Sequence, residues 1–295
     1  MNHDPESKAH GVPFSRFFVA VSVQFAAILG LFALISPPAF RAEVGQPLSI
    51  FLWTVAIGLP LSLFEYLYHR YLLHSAVLPF MAAMHRAHST HHGLTSVKAP
   101  VSPHEPARLV EVTSAYPVEE EHQEESMMFP LWSLPIFAFV FAILIALPLK
   151  SMLPQQPILV STLLSVTAYY CAYEVWHAVL HLPFERFWRP AMEGRLFGPT
   201  VRRMYGFHLM HHWRPGANQA IVGFWGIALW DHAFRTHRRP ERMPLSGAEV
   251  SYHDAALPQP LWPIAQLDRW KVGLYKASRT LERFLARVVL RRQTR

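Results

Sequence analysis

Four long apolar segments constrain this 295-residue chain more than any other feature of its sequence. A helix needs about 20 apolar residues to cross a bilayer. The segments are Phe17–Ile35, a stretch from near Leu48 to Glu65, Pro130–Leu149, and a stretch from near Ile158 toward His177. The pattern predicts an all-α integral membrane protein with four transmembrane helices.

The composition agrees with a membrane protein. Only 16% of the residues are charged and 52% are hydrophobic, whereas soluble domains carry about 25% charged residues. The single cysteine, Cys171, excludes an internal disulfide framework and a cysteine-based zinc site. Nineteen of the 27 Lys and Arg residues follow residue 182. A basic half joined to an apolar half favours anionic lipid headgroups over nucleic acid, and no nucleic-acid-binding motif is present.

The distribution of basic residues predicts how the chain is oriented. With four spans, both termini and the long loop between the second and third spans lie on one side. These segments hold most of the Lys and Arg residues, so this side is expected to be cytoplasmic. We therefore expect His69, Glu125 and His208 to face the cytoplasm, and Gln46 and Gln155 to face the opposite side.

Three regions follow from this topology. We expect residues 1–16 to form a cytoplasmic N-terminal segment, 17–240 a four-helix membrane domain, and 241–295 a basic tail with an amphipathic helix. Seven apolar residues of the tail share one stripe at helical spacing, with Arg and Lys opposite: Leu267, Trp270, Leu274, Leu281, Phe284, Leu285 and Val288. The stripe suits either a helix lying on the membrane surface or a helix packed against the body of the protein.

Eighteen histidines are far too many for this length, and ten of them fall into four clusters. Residues three or four apart share one face of a helix, so most of these spacings bring imidazoles together. HRYLLH is the exception, because five steps leave its two rings roughly 140° apart on an ideal helix. Its rings can converge only if the helix ends or bulges there, or if both rings reach around a shared metal. The clusters are HRYLLH (His69, His74), HSTHH (His88, His91, His92), HAVLH (His177, His181) and HLMHH (His208, His211, His212).

The predicted topology brings all four clusters to one face of the membrane. Ten imidazoles exceed the needs of one metal and match two. Imidazole without thiolate suits iron, zinc or copper, whereas zinc hydrolases generally use fewer histidines with a carboxylate and water. The sequence therefore predicts a cytoplasmic helical cap that holds a dimetal histidine site.

These motifs together resemble the fatty acid hydroxylase/sterol desaturase superfamily of membrane di-iron oxygenases. The resemblance covers roughly residues 50–240. HRYLLH begins with the usual His-Arg of that family, Asn218 follows His212 by six residues, and Trp230-Asp231 match a common Trp-Asp ending. Arg235 replaces the glycine of that ending, and Gln219-Ala220 replace an aromatic-glycine pair. These departures concern the substrate subgroup.

The resemblance implies an oxidoreductase that hydroxylates or desaturates a lipid with O2. It implies two iron ions per chain, which zinc can replace on purification, and all ten clustered histidines as their ligands. An unactivated methylene has no acidic proton and no leaving group, so this chemistry needs a metal and O2 rather than acid–base groups. Electrons are expected from an external ferredoxin, cytochrome b5 or reductase. The lipid class stays open: fatty acid, sphingolipid, sterol, hopanoid or carotenoid. The rival interpretation is a divalent-metal-binding or metal-transporting membrane protein.

Weaker candidates surround the histidines. Glu174 lies one helical turn before His177, Glu65 lies four residues before His69, and Asp231 belongs to the Trp-Asp match, so all three are candidates to support metal-bound imidazoles. Asn218 could bond a ligand or cap a turn. HRAHSTHH can also be read in a second register in which His85 and His88 are the ligands; we favour His88, His91 and His92.

Overall fold

Four helices in the described part of the chain are long and apolar enough to cross a membrane. The computed structural model describes residues 14–114, 128–239, 249–257 and 259–293. The candidate spans are Phe14–Ile35, Pro47–Leu73, Ser133–Met152 and Ile158–Leu180. The predicted number of apolar helices is therefore confirmed, with ends shifted by a few residues.

The four spans and the connection between the first two contain six helices, α1, α2, α3, α5, α6 and α7, and π turns continue α3 and α5. A short helix lies between the first two spans, and the third span is interrupted by a π turn. The helices are α1 (Phe14–Ile35), α2 (Pro37–Val44), α3 (Pro47–Tyr68, continued by a π turn at His69–Leu73), α5 (Ser133–Phe141, followed by a π turn at Ala142–Ala146), α6 (Leu147–Met152) and α7 (Ile158–Leu180).

Helix α7 is the most buried of the four spans, because α1, α3 and α5 pack around it. A shared apolar core joins them, with Phe17, Leu61, Leu134 and Val166 all nearly inaccessible. By contrast, α1 turns most of its apolar surface outward, as expected for a helix that contacts lipid.

The turns between spans meet at one end of the bundle. The Gln46 side chain donates a hydrogen bond to the Gln155 carbonyl oxygen at 3.1 Å. The buried Glu43 carboxylate pairs with Lys150 at 2.6 Å and accepts from the Val160 N–H at 2.8 Å. Gln46 and Gln155 thus share an end, and the histidine clusters lie at the other. Glu125, expected on the histidine side, lies outside the described residues, as do residues 1–13 of the N-terminal segment.

A cap of shorter helices covers the histidine end. Its core includes Trp188, Tyr205, Leu209 and Trp213. The cap helices are α4 (Ala82–Leu94), α8 (Arg189–Glu193, preceded by a π turn at Phe184–Trp188), α9 (Gly198–Trp213) and α10 (Leu229–Ala233).

The cap also contains strands, so the all-helical expectation is wrong in this detail. β1 (Thr95–Lys98) pairs antiparallel with β3 (Glu111–Ser114), and β2 (Arg108–Leu109) pairs antiparallel with β4 (Glu249–Val250). Their sequences are too short for a recognisable strand pattern, and the pairing depends on contacts distant in the chain. β1 directly follows α4, and its first residue is buried against the histidines.

The described part of the basic tail packs on the body. Asp268 in the last helix, α11 (Trp262–Gln293), forms an ion pair with Arg70 at 2.6 Å. The Ser278 hydroxyl donates to the Val77 carbonyl oxygen. Most of the predicted apolar stripe nevertheless faces outward, so packing of that stripe on the body, one of the two alternatives, is not what the structure shows. Its exposed members are Trp270, Leu274, Leu281, Phe284, Leu285 and Val288.

Candidate metal centre

A widened helical turn brings the two histidines of HRYLLH together. The backbone N–H of His74 bonds to the carbonyl oxygen of His69 at 3.2 Å, which is the i→i+5 pattern of a π turn. On an ideal α-helix the two side chains would point in different directions. The π turn brings them to the same side, and the two rings stack with centroids 5.1 Å apart. The bulge allowed for in the sequence analysis is therefore present.

Each HxxHH motif supplies histidines to two separate groups. On α4, His88 and His92 join one group, while His91 belongs to the other. On α9 the division is reversed, because His211 joins the first group and His208 and His212 join the second. The first group, here the five-histidine group, is His69, His74, His88, His92 and His211. The second, the four-histidine group, is His91, His181, His208 and His212.

The remaining predicted ligand, His177, lies against the four-histidine group. Its Nε2 atom is 3.0 Å from Nε2 of His91. With His177 included, each group contains five histidines. Two come from one HxxHH motif, one comes from the other HxxHH motif, and two come from the end of one candidate span. The two groups touch, since the rings of His92 and His212 stack with centroids 4.2 Å apart.

Backbone carbonyls fix which nitrogen of several rings carries the proton. A carbonyl oxygen only accepts, so the Nδ1 atom facing it must be protonated, and Nε2 of the neutral ring then presents a lone pair. Three rings show this contact: His69 with Gln219 at 2.6 Å, His211 with Ala217 at 2.8 Å, and His212 with Thr95 at 2.9 Å. This arrangement is typical of metal-ligating histidines.

The Nε2 atoms converge on one another. In the five-histidine group, His88 Nε2 lies 3.2 Å from that of His69, 3.1 Å from that of His74 and 3.1 Å from that of His92. His74 Nε2 is also 3.0 Å from that of His211. In the four-histidine group, His208 Nε2 lies 2.9 Å from that of His181 and 3.1 Å from that of His212. Two nitrogen lone pairs at these distances repel each other unless a proton or a metal cation lies between them, so the convergence fits either N–H···N hydrogen bonds or a bound metal.

Burial keeps these imidazoles neutral. Burial, together with a smaller contribution from neighbouring histidines, lowers the pKa of His212 to about 4 and that of His74 to about 2. The same two causes, burial first, hold the pKa well below its ordinary value at His88, His91, His92, His181, His208 and His211. Neutral imidazole is the form that binds a metal.

The dimensions suit metal ions. Within each group the candidate ligand atoms all lie within 4.8 Å of one another. Opposite nitrogens around one metal are about 4.2 Å apart, because a metal–imidazole bond is about 2.1 Å. A contraction of a few tenths of an ångström thus closes each group on an ion. The buried histidine groups could therefore hold metal ions, with nitrogen as the only donor atom in both groups.

His85 lies outside both groups. Its Nδ1 atom faces the Leu73 carbonyl oxygen at 2.6 Å. It lines an open polar basin of about 470 Å³ together with His74, His92 and His212, and with Arg70, Ser75, Ser89, Pro215, Gly216 and Lys271. The geometry therefore favours the register that uses His88, His91 and His92.

A second approach to the centre is apolar. A partly open cavity of about 60 Å³ lies among α3, α5 and α7, and aromatic rings form most of its wall. Tyr68 precedes His69 in the chain, and the Tyr173 ring contacts the His177 ring with centroids 5.4 Å apart. The cavity thus runs between candidate membrane spans and ends beside the histidines. The lining residues are Leu61, Phe64, Glu65, Tyr68, Phe129, Phe137, Phe141, Val166, Tyr169, Tyr170 and Tyr173.

Asp231 and Glu174 were both expected to support metal-bound imidazoles, and the structure gives them different surroundings. Asp231 accepts hydrogen bonds from the Gln219 N–H at 2.9 Å and the Ala220 N–H at 3.0 Å. It therefore holds the backbone of Gln219, whose carbonyl oxygen faces His69, and so supports that ring indirectly. One Glu174 oxygen accepts from the Phe129 N–H at 3.0 Å, and the other has no hydrogen-bond partner among the described residues. The expected support of His177 by Glu174 is not seen.

Asn218 holds a turn. It adopts a left-handed backbone conformation, with φ of 51°. Its amide group donates to the carbonyl oxygen of Phe207 and accepts from the N–H of Arg238 at 2.7 Å. Of the two roles considered for this residue, the structure shows the turn-capping one.

Sequence reasoning missed several groups that orient the histidines. The Thr95 hydroxyl lies 2.9 Å from Nδ1 of His181, while its carbonyl faces His212. Glu65 accepts hydrogen bonds from the N–H groups of residues 221–223 and from the Tyr169 hydroxyl. Nothing in the sequence marks the carbonyls, because every residue has one. Glu65, by contrast, was among the carboxylates expected to support the histidines, because it lies four residues before His69 at the end of an apolar segment.

Comparison of the chain with models of protein families, with curated proteins and with solved structures finds no match.

Proposed function

We propose that this protein is a membrane dimetal oxygenase, natively with two iron ions, that hydroxylates or desaturates a lipid. The observation that carries the proposal is the pair of adjacent, buried, all-imidazole groups at the ends of apolar helices. A lone metal would leave one of these groups without an ion. The resemblance of the four histidine motifs to the fatty acid hydroxylase/sterol desaturase superfamily supports iron and O2 chemistry.

Two iron ions would supply the redox chemistry that no side chain in the site can perform, because an unactivated C–H bond has no acidic proton. His69, His74, His88, His92 and His211 would hold one ion. His91, His177, His181, His208 and His212 would hold the other. The chain's own contribution is to keep these imidazoles neutral, to orient them through backbone carbonyls, and to bury them away from bulk water.

The apolar cavity supports a lipid chain as the substrate. Its aromatic and aliphatic wall lies among the candidate spans, so an acyl chain or other hydrocarbon could enter from the bilayer without crossing water. At its inner end Tyr173 packs on His177, which would bring a methylene near the four-histidine group. Hydroxylation and desaturation begin with loss of a hydrogen from such a methylene, and both remain in the proposal.

The polar basin supports access from the aqueous side. His74, His92 and His212 line it directly and Lys271 adds a positive charge, whereas the charge of Arg70 is balanced by Asp268. We propose that this side is cytoplasmic and that an acidic electron donor, such as a ferredoxin, cytochrome b5 or a reductase, delivers electrons there. Complementary charge would accelerate its association.

The rival function is metal transport. Transporters generally bind their ion near the membrane midplane between two access routes. Here the histidines lie at one end of the spans, and the route between the spans is lined by hydrocarbon and aromatic rings. Neither feature favours passage of a cation.

Lipid analysis tests the proposal. Membranes from cells with and without the protein are incubated under ¹⁸O2 with a reducing system, and their lipids are compared by mass spectrometry. A lipid that gains labelled oxygen, or loses two hydrogens, only with the active protein is the expected result. His92→Ala is the inactive control and His85→Ala the matched active control. If the lipids stay unchanged in iron-loaded, reduced membranes and the protein takes up metal cations, the oxygenase proposal is wrong and metal transport is the function.

A further inference from the structure

Helix α11 has three distinct faces. Successive residues of a helix are rotated by about 100°. On this basis α11 has one face that contacts the body, one that is apolar and exposed, and one that is basic. The centres of these three faces are roughly 110–130° apart. The body-facing residues are Ile264, Asp268, Ser278 and Glu282. Six of the exposed apolar residues form the apolar face, namely Trp270, Leu274, Leu281, Phe284, Leu285 and Val288, whereas Trp262, Val272 and Tyr275 lie outside it. The basic face is Arg269, Lys276, Arg283 and Arg287, all exposed.

The contacts of α11 with the body are largely polar. Asp268 pairs with Arg70, the Ser278 hydroxyl donates to the Val77 carbonyl oxygen, and Glu282 accepts from the Phe80 N–H. The apolar face points elsewhere: Trp270 is 55% exposed and Phe284 is 61% exposed. A contiguous apolar face left open in this way marks an interaction site.

The anchoring contacts set the position of this face. Arg70 belongs to the π turn that ends the second span, and Val77 and Phe80 follow it within a few residues. The helix is thus fixed where a candidate span leaves the apolar layer. The adjacent basic face suits anionic headgroups, and a helix with one apolar and one cationic face lies in the membrane interface.

We propose that the apolar face of α11 inserts into the surface of an anionic lipid leaflet, with its basic face among the headgroups. The occupant is lipid, and not a second copy of the chain, because basic residues border the apolar face and would repel their copies in a symmetric dimer. The helix extends about 48 Å at 1.5 Å per residue and would hold the polar basin at a fixed height above the bilayer. The proposal requires neither metal nor activity.

Site-specific fluorescence quenching tests the insertion. In a Cys171→Ser background, Leu281→Cys and the matched control Lys276→Cys are labelled with an environment-sensitive dye. Both positions are exposed on the same helix, so either substitution should leave the fold intact. The labelled protein is placed at one copy per nanodisc containing anionic lipid with brominated acyl chains. We expect at least twofold quenching at position 281 and little at position 276.

Two comparisons complete the test. Replacing the anionic lipid with zwitterionic lipid, or introducing Arg283→Glu with Arg287→Glu, should reduce quenching at position 281 at least twofold. Absence of quenching at position 281 in single-copy discs overturns the proposal, and crosslinking at that position that grows with protein density would assign the face to a second copy. If quenching at position 281 changes neither with lipid charge nor with the two Arg→Glu substitutions, the proposed role of anionic lipid is wrong.

Discussion

His69 and His74 stack with ring centroids 5.1 Å apart although His74 follows His69 by five positions in the chain. The π turn between them makes this possible, since its i→i+5 bond adds one residue to a helical turn. Both rings enter the five-histidine group, where His74 Nε2 lies 3.0 Å from that of His211. A local change in helix geometry thus connects the end of a candidate membrane span to a site built by the cap.

The first prediction concerns metal content. Because the imidazoles form two groups, the protein should bind two metal ions per chain, with iron after anaerobic iron loading and zinc in part after ordinary purification. Elemental analysis of protein quantified by amino-acid analysis measures the ratio. A ratio of one, or none after iron loading, would contradict a dimetal centre.

The second prediction separates the two registers of HRAHSTHH. His92 belongs to the five-histidine group, whereas His85 lies beside the polar basin. His92→Ala should abolish activity and lower metal content, and His85→Ala should retain substantial activity and both metals. Variants inserted in the membrane at equal levels are compared by metal analysis and lipid mass spectrometry. The opposite ranking would show that the second register is the correct one.

The third prediction concerns the apolar cavity. Val166 lines it, so Val166→Phe should fill part of the space and lower lipid conversion at least tenfold while metal content stays the same. Val23, 63% exposed on α1, provides the control substitution Val23→Phe, which should leave conversion unchanged. Full conversion by a correctly folded Val166→Phe protein would mean that the substrate enters elsewhere.

The fourth prediction concerns Glu65. Glu65→Ala removes the acceptor of three buried N–H groups in residues 221–223, and each unsatisfied group costs roughly 1–3 kcal/mol. Thermal unfolding should therefore occur at a clearly lower temperature, with Glu65→Gln less affected because it keeps one acceptor oxygen. Glu185→Ala, which removes an exposed ion pair with Arg189, is the control and should change stability by less than about 1 kcal/mol. An unchanged melting temperature for Glu65→Ala would refute this structural role.

The fifth prediction is the orientation in the membrane. The exposed residues Arg202, on the helix that carries His208, and Gln155, at the opposite end of the bundle, are replaced singly by cysteine in a Cys171→Ser background. In intact cells, an impermeant thiol reagent should label the cysteine at position 155 and should label that at position 202 only after lysis. Labelling of position 202 from outside would reverse the topology.

The sequence by itself determined the features that depend on residue type and local spacing. Hydropathy located the four apolar helices within a few residues, because a helix that contacts lipid must be apolar along its whole length. Histidine spacing identified the ten imidazoles that the structure gathers at one end of the bundle. The sequence also indicated where HRYLLH needed a bulge, since the offset of five residues on an ideal helix is fixed by geometry.

Only the tertiary structure decided how these pieces combine. The division of each HxxHH motif between the two groups depends on how α4 and α9 cross, and no local pattern encodes a crossing. The carbonyls of Thr95, Ala217 and Gln219 orient three rings, yet any residue type could supply them. The outward direction of the α11 apolar face was likewise undetermined, because periodicity defines a stripe but not its partner. Contacts between residues distant in the chain, such as Arg70 with Asp268, made that choice.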